Sequence, residues 1–567
     1  MGFCATSFQE MADKQMSLHD AVAAHVHAGD VLHPVVGHTR WTAATREVVR
    51  QWWGRDPRFT LVMLSLSSLG ALFFRGGLVT KVITGYSGDT FPNFTPNPWF
   101  ARAYERGEVE VEHWSFLAFA QRLEAAARSL PAIVTRSIAG SSMETNDAFA
   151  RVATPFGEVG LLAPLAPDVA LLHAPLADRA GNVVLHPPLL EGVWGALGAR
   201  RGAIVTVERI VDDVRPWSDL VRLPAHRVLA VVECPMGAHP GGLYRGSLPV
   251  EGYGEDYDFW VEARAATRAD VDEYDAWIRK WILEIDSQQQ WIERLGDERV
   301  AALRAKAAPD SWHADAAAFA PDLGAAVNDW ERAAVWGARY LAARVEATGA
   351  DAVLAGAGVA NLAAWLGVRL ARDAGQDVHL TAEIGLWDYK ATPADPFVLN
   401  HRNFPTASML GDAQMVLGAL VGGTGTTTIG CLGGAQIDRA GNINSTQIVP
   451  RPFLVGSGGG NDVASTAAEN VVVATLTPQR TVEECSYVTS PGHHVRALVT
   501  DMCTFEKRAG GLELVALAPG VTFAAVQERC AWRLAEPAAD LPVLAEPTAD
   551  EIAALRSWDP RGWFLRG

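Results

Sequence analysis

The 567-residue chain has only six cysteines, Cys4, Cys234, Cys431, Cys485, Cys503 and Cys530, all placed singly. Without a CxxC pair there is no zinc ribbon and no disulfide framework, and a reducing compartment, the cytosol, is expected. Lys and Arg number 48 against 65 Asp and Glu, a formal charge of −17. No basic cluster stands out, so a nucleic-acid partner is disfavoured. No apolar run reaches the roughly 18 residues of a membrane span, and the first residues, MGFCATSFQEMADKQ, show no basic segment leading into an apolar one, so neither a membrane segment nor a secretory signal is expected. A GK[ST] phosphate loop and a GxGxxG fingerprint are also missing, which argues against both usual kinds of nucleotide phosphate site.

What is present is a large apolar fraction, 49% against 20% charged residues, enough for two to four domains with substantial cores. The pentapeptide DRAGN occurs twice, at Asp178–Asn182 and at Asp438–Asn442, after the apolar runs VALLHAPLA and TIGCLGGAQI. In each copy glycine supplies a positive φ, and Asp and Asn bond locally to the backbone, which describes a hairpin. A second echo links AGDVLHPVVG at Ala28–Gly37 with TGADAVLAGAG at Thr348–Gly358, each a strand ending at glycine before a helical stretch. Two related α/β halves are expected, each an open, mostly parallel sheet with helices on both faces.

The first half alternates helix and strand: LHDAVAAHVHAGD, VLHPVVG, TAATREVVRQWWG, FTLVMLSLS. It carries about sixty extra residues, expected around Gly85–Ser142, where YSGDTFPNFTPNPWF reads as a surface loop at a pocket mouth. A helical, Trp-rich join covers about 266–325, its tryptophans Trp277, Trp281 and Trp291 spaced for core packing; the linker is expected at Pro309–Gly324. The division expected is 1–325 and 326–567.

Three segments of the second half could carry chemistry. In HLTAEIGLWDY an apolar strand delivers Glu383 just before Gly385, and in open α/β sheets ligands sit beyond the carboxyl ends of strands. GGTGTTTIGCLGGAQIDRAGNINST contributes Gly433, Gly434 and Gln436, where glycines permit close backbone approach. FLVGSGGGNDVASTAAENVVV leads through Gly456–Gly460 into a helix expected to be capped by Asp462, a possible anion site; Ser457 reads as a turn residue. His493-His494 lacks a third spaced ligand, and no metal site is expected.

In this order these segments resemble the β subunit of glutaconate CoA-transferase and its relatives among family I CoA-transferases. The resemblance runs through GAG at Gly356–Gly358, AEIG around Glu383, GGAQIDRAGNINST, GSGGGND at Gly456–Asp462 and YVTSPG at Tyr487–Gly492. The first half resembles the α subunit through VVGHTR at Val35–Arg40, RGEVEVEHWS at Arg106–Ser115, PDVALLHAPLADRAGNV and VVECPMGAHPGG at Val231–Gly242. The resemblance implies two fused halves of the CoA-transferase (NagB/RpiA-like) type with the active site at their interface.

It also implies that Glu383 is the nucleophile of a ping-pong transfer of CoA between an acyl-CoA and a carboxylic acid through a glutamyl-CoA thioester, with a CoA thioester as substrate and no permanently bound cofactor. Gly458, Gly459 and the turn of Gly356 and Gly358 become oxyanion or CoA-binding candidates with Gly433, Gly434 and Gln436; Gly37, His38 and Arg40 become substrate contacts, Arg40 as a carboxylate clamp. Glu112 and His113 either line the cleft or decorate an edge strand. Trp387 and Tyr389, soon after the glutamate, could remodel the acceptor pocket. Acyl-CoA hydrolysis, or C–C cleavage or decarboxylation on the same fold, is the alternative; a non-catalytic acyl-CoA-binding role comes third. A homodimer is compatible with the sequence.

Overall fold

The computed structural model describes residues 13–35, 41–536 and 540–566. Gly37, His38 and Arg40 lie outside the described residues.

Two nine-stranded sheets organise the chain. In the first, Val31–Pro34 lies between Phe59–Val62 and Val169–Asp178, parallel to both. Parallel strands Val79–Thr84 and Glu110–His113 extend one side, and Gly202–Val211 with Val228–Glu233 the other. All ten residues of Val169–Asp178 are buried, as a central strand covered on both faces requires, which is why its sequence shows no polar alternation. In the second sheet Ala352–Ala355 lies between His379–Ala382 and Thr428–Leu432, again parallel. Glu469–Val473 and Val495–Val499 continue it in parallel, and the hairpin Cys503–Arg508/Gly511–Leu517 closes that edge. Short antiparallel strands Leu386–Trp387 and Met409–Leu410 form the other.

The sequence repeat is a repeat of register. Counting back nine residues from Asp178 and Asp438 gives Val169 and Ile429; two residues beyond Asp30 and Asp351 stand Leu32 and Val353. Leu32 pairs with Val169, and Val353 with Ile429. Both DRAGN segments make the same turn: the aspartate carboxylate accepts from the Asn182 or Asn442 backbone N–H (2.8 and 2.9 Å) and side-chain amide, and Gly181 and Gly441 have φ of +99° and +83°. The halves differ just before this turn. The first-half strand runs unbroken to its hairpin, whereas in the second half Gly433, Gly434 and Ala435 interrupt it between Leu432 and Gln436.

The join is a set of short helices, Tyr257–Arg268, Val271–Ile278, Gln288–Leu295, Asp297–Lys306 and Trp312–Ala318. Trp277, Trp281 and Trp291 are buried around Phe259, with Trp281 4.9 Å from it, and the indole N–H groups of Trp277 and Trp281 share the Glu262 carboxylate. The stretch expected as a linker is better ordered than its Ala- and Pro-rich composition suggests. It contains the helix Trp312–Ala318, and Arg402 of the second half fastens it by an ion pair to Asp315 (2.7 Å) and a hydrogen bond to Ser311 (2.9 Å). Phe91, Tyr257, Phe397 and Trp563 form an aromatic brace from first half, join, second half and C-terminal segment, Phe91 stacking on Tyr257 at 4.1 Å.

The segment expected as a surface loop corrects the sequence reading. From Gly85 to Phe91 it is buried, because its polar side chains are satisfied internally. Asp89, fully buried, accepts from Ser68 and Asn97 and pairs with Arg268. Such a polar loop can enter the interior since each group it buries is bonded.

Candidate active site between the halves

Glu383 is the first residue after the strand His379–Ala382. The chain must then reverse tightly. Gly385, at φ +114°, allows this, and a Cβ there would run into the carbonyl of Gly411; the Gly411 N–H in turn donates to the Gly385 carbonyl at 2.8 Å. The first half grips the turn, since the Leu190 N–H donates to the Ile384 carbonyl (3.3 Å) and the Leu190 carbonyl accepts from Ala413 (2.7 Å).

The opposite wall comes from the second-half glycine loop, which the first half also holds. The Gly458 N–H donates to the Gly85 carbonyl and its carbonyl accepts from Phe116, each at 3.0 Å; Ser87 donates to Val455 at 2.6 Å. Gly458, at φ +56°, is a left-handed position suited to glycine. Its N–H is committed to Gly85, which corrects the expectation that it is available to an oxyanion. The Gly459 N–H bonds to the Glu383 carboxylate, and no side chain fits at 459, where a Cβ would overlap Oε2. Ser457 accepts from the Asn461 N–H (3.2 Å), a turn role.

Asp462 does not cap its own helix, Gly460–Thr466. The cap position is Gly459, without a side-chain bond. Asp462 instead reaches across the interface, where its Oδ2 accepts from the Leu117 N–H at 3.0 Å, in the first turn of the helix Phe116–Ala127. Beside it Asn461, also fully buried, accepts from the Ile138 N–H (2.8 Å) and donates to the Thr489 carbonyl (2.9 Å). Sequence reasoning missed these cross-half bonds; the only signal was two adjacent polar residues, Asn461 and Asp462, in the first turn of a fully buried stretch.

Burial, and then the charge of Asp462, push the Glu383 carboxyl up to about 7, against the Gly459 N–H, which favours the charged form. Burial likewise pushes Asp462 up to about 6, opposed by the N–H groups of Phe116 and Leu117 and the hydroxyls of Ser115 and Ser137. Two carboxyls so placed ionise in the range where a nucleophile or base is useful.

The remaining glycines line the same sheet edge. Strand order puts Gly356 one strand and Gly433 two strands from Glu383, about 5 and 10 Å at ordinary strand spacing. Gly358 caps the 15-residue helix Val359–Asp373 at φ +69°, ψ −135°. A Cβ on Gly356 would strike the Cys431 carbonyl, and one on Gly434 the Ile443 side chain. Ala357, Gly433 and Ala435 are exposed, so this edge is a shelf of bare backbone. Gln436 sits behind it, accepting from the Asn444 amide at 2.9 Å.

Other expectations fall away from the site. Tyr389 is fully buried and its hydroxyl accepts from Trp365 (2.7 Å), so it belongs to the core of the second half. Glu112 is tied to Arg122, Lys81 and Trp114 on the edge strand. His113 stacks on Phe453 of the other half at 5.3 Å, and burial lowers it to about 4. Among the described residues no group of His, Cys, Asp and Glu could hold a metal, and no helix is long and apolar enough to cross a membrane. A cleft of about 870 Å³ elsewhere involves none of these site residues; its five carboxylates, Asp322, Asp329 and Asp501 among them, outnumber three guanidiniums, a poor match for a polyanion such as CoA.

Residues 15–234 match the family model for coenzyme A transferase. The chain is 30% identical over 282 residues to one of the two subunits of 3-oxoadipate CoA-transferase from Pseudomonas knackmussii, covering 47% of this chain and 93% of that polypeptide. The chain belongs to the coenzyme A transferase family. The other subunit of the same enzyme is 34% identical over 160 residues, 24% of this chain and 60% of its own length, so this CoA-transferase joins in one chain what is divided there between two. An acyl-CoA transferase of Escherichia coli O157:H7, solved as a thioester complex with CoA, shares the fold over 94% of both chains with a TM-score of 0.64 at 17% identity.

Proposed function

We propose that this CoA-transferase moves CoA from an acyl-CoA to a carboxylic acid through a covalent intermediate on Glu383. The observation that carries the reading is the state of that residue: a carboxyl in the seam between the halves, aimed by the Gly459 N–H and raised to about 7. A carboxylate is a weak nucleophile toward a thioester, and greater basicity together with removal from water improves it.

A Glu383 oxygen attacks the thioester carbonyl, the C–S bond breaks, and CoA leaves as thiolate from a mixed anhydride. The thiolate then attacks the glutamyl carbonyl, releasing the original acyl group as its carboxylate and leaving a glutamyl-CoA thioester. An incoming carboxylate reverses both steps, so Glu383 is regenerated and no proton or electron is consumed overall. The Gly459 N–H, already on the carboxylate, is placed to follow negative charge as it develops on the glutamyl carbonyl; such a donor contributes about 3 kcal/mol in comparable sites. The shelf of Gly356, Gly358, Gly433 and Gly434 suits close passage of the pantetheine arm.

Only the second half carries the nucleophile. By the paired registers, His379 corresponds to Thr60, and Glu383 therefore to Leu64, which is fully buried. One chain thus has one reacting carboxyl. Glu383→Gln is the test: transfer in a panel of acyl-CoA and acid pairs should fall to background while CoA binding by calorimetry persists. Retained transfer would reject the assignment.

A further inference from the structure

Asn461 lies fully buried two residues beyond Gly459 and uses both ends of its side-chain amide. Its oxygen accepts from the Ile138 N–H of the first half at 2.8 Å, and its NH2 group donates to the Thr489 carbonyl of the second half at 2.9 Å. One partner is a donor and the other an acceptor, which fixes the orientation of the amide. The Asn461 backbone N–H donates to the Ser457 hydroxyl at 3.2 Å and the Gly460 N–H to the Ser457 carbonyl at 3.1 Å, closing the turn that has Gly459 at its middle.

The first-half partner is strained. Ile138 has a φ of +77° and no exposed surface, and a β-branched residue in the left-handed region persists only where its surroundings over-determine it. Ser141 bonds the Ile138 carbonyl through its N–H (2.9 Å) and its hydroxyl (2.6 Å), and Ser142 exchanges two hydrogen bonds of 2.8 Å with Val488 of the second half. Val488 adjoins Thr489, whose hydroxyl meets that of Thr446 at 2.8 Å and accepts from the Ser445 N–H at 3.0 Å. The strained turn is thus seated on second-half backbone at Val488 and joined by Asn461 to the glycine loop.

Gly459 is bracketed by two first-half grips. Gly458, before it, is held backbone to backbone by Gly85 and Phe116, each at 3.0 Å; Asn461, after it, holds through a side chain that mutation can remove. The backbone of Gly459 lies against the Glu383 carboxylate so closely that a Cβ would overlap Oε2. We propose that Asn461 is a positioning residue, clasping the strained Ile138 turn and Thr489 so that the Gly459 N–H stays on Glu383 while the glutamyl carbonyl is attacked. A donor aimed at charge that develops during reaction acts on the chemical step. The shelf at Gly356 and Gly433 stands on other strands, so binding of CoA should not depend on the clasp.

Because this role rests on the nucleophile reading, the division between kcat and KM is measured beside Glu383→Gln. In the full-length Asn461→Ala protein, with folded sites counted by calorimetric titration with CoA, kcat per folded site should fall about 10²-fold, the cost of a misplacement on the scale of 1 Å. KM for the acyl-CoA and Kd for CoA should stay within about twofold of wild type. A purely structural role would lower the thermal midpoint and the number of folded sites but leave kcat per site at the wild-type value, and that result overturns the proposal. Asn461→Ser, whose shorter side chain cannot span both partners, is read by the same criterion should the alanine variant not fold. If kcat per site is unchanged while Glu383→Gln abolishes transfer, only the role of Asn461 is lost; if Glu383→Gln remains active, the nucleophile reading fails with it.

Discussion

The backbone N–H of Gly459 bonds to the carboxylate of Glu383, and a side chain at 459 would occupy the space of Oε2. Glu383 and Gly459 come from different loops of the second half, each held by first-half backbone, so the geometry depends on both. Gly459→Ala should displace Glu383 without unfolding the chain. A displacement on the scale of 1 Å costs about 10²-fold in rate, so kcat/KM should drop by that order while the thermal midpoint stays close to wild type.

The acid limb of kcat/KM should report Glu383. In the proposed reaction the attacking form is the carboxylate, so activity should decline as pH falls through about 7. A limb in the ordinary carboxylate range, measured with a substrate that does not titrate there, would remove the argument from desolvation.

The same shift has a consequence for stability. Between the unfolded value near 4.5 and the folded value near 7 the native state binds more protons at Glu383 than the unfolded chain. Its contribution therefore weakens as pH rises through that window and is least favourable above it. Glu383→Gln should be more stable than wild type at pH 8, by about 2–3 kcal/mol, with the difference closing by pH 5. Denaturant unfolding at the two pH values measures it.

Asp438 anchors the second-half hairpin through the Asn442 backbone N–H (2.9 Å), the Asn442 amide (3.0 Å) and the Cys485 N–H (3.2 Å). Asp438→Ala strands these donors, and an unsatisfied buried group costs about 1–3 kcal/mol. Asp178→Ala in the first-half copy should cost a similar amount by denaturant unfolding but spare catalysis, since only the second-half hairpin abuts the glycine shelf.

Phe91 ties the buried loop of the first half to the join and the second half, stacking on Tyr257 at 4.1 Å. Removing a buried phenylalanine costs about 3–5 kcal/mol. Phe91→Ala should lower stability by that order and weaken activity through the seam, which thermal denaturation and a transfer assay at 15 and 35 °C would show as a steeper loss on warming.

The two-half architecture was legible because its signals are local: the DRAGN turns need Asp, Gly and Asn at fixed spacing, and a buried parallel strand such as Val169–Asp178 reads as continuous apolar sequence. Glu383 stood out as a strand-end carboxylate before Gly385, but the role proposed for it came from the resemblance carried by AEIG and the glycine segments. The cross-half contacts left no such trace. Asp462 reads as a helix cap by proximity, but its partner, the Leu117 N–H, is 345 residues away in sequence, and a backbone donor has no side-chain signature. The loop from Gly85 to Phe91 looked like surface since Asp, Asn and Pro usually face water, while bonds from Ser68, Asn97 and Arg268 to Asp89 let it be buried. Tyr389, near Glu383 in sequence, points into the core because the turn at Gly385 reverses the chain before it.

The most direct measurement is the intact mass of the protein after incubation with acyl-CoAs in the absence of an acceptor acid, followed by borohydride reduction and peptide mapping. The account requires a CoA adduct in the intact mass before reduction and, once borohydride has released CoA as its thiol, an alcohol in place of the Glu383 carboxyl on its peptide, both missing in Glu383→Gln. Steady release of free CoA from a protein that never gains mass would contradict it and make hydrolysis the reaction of this site.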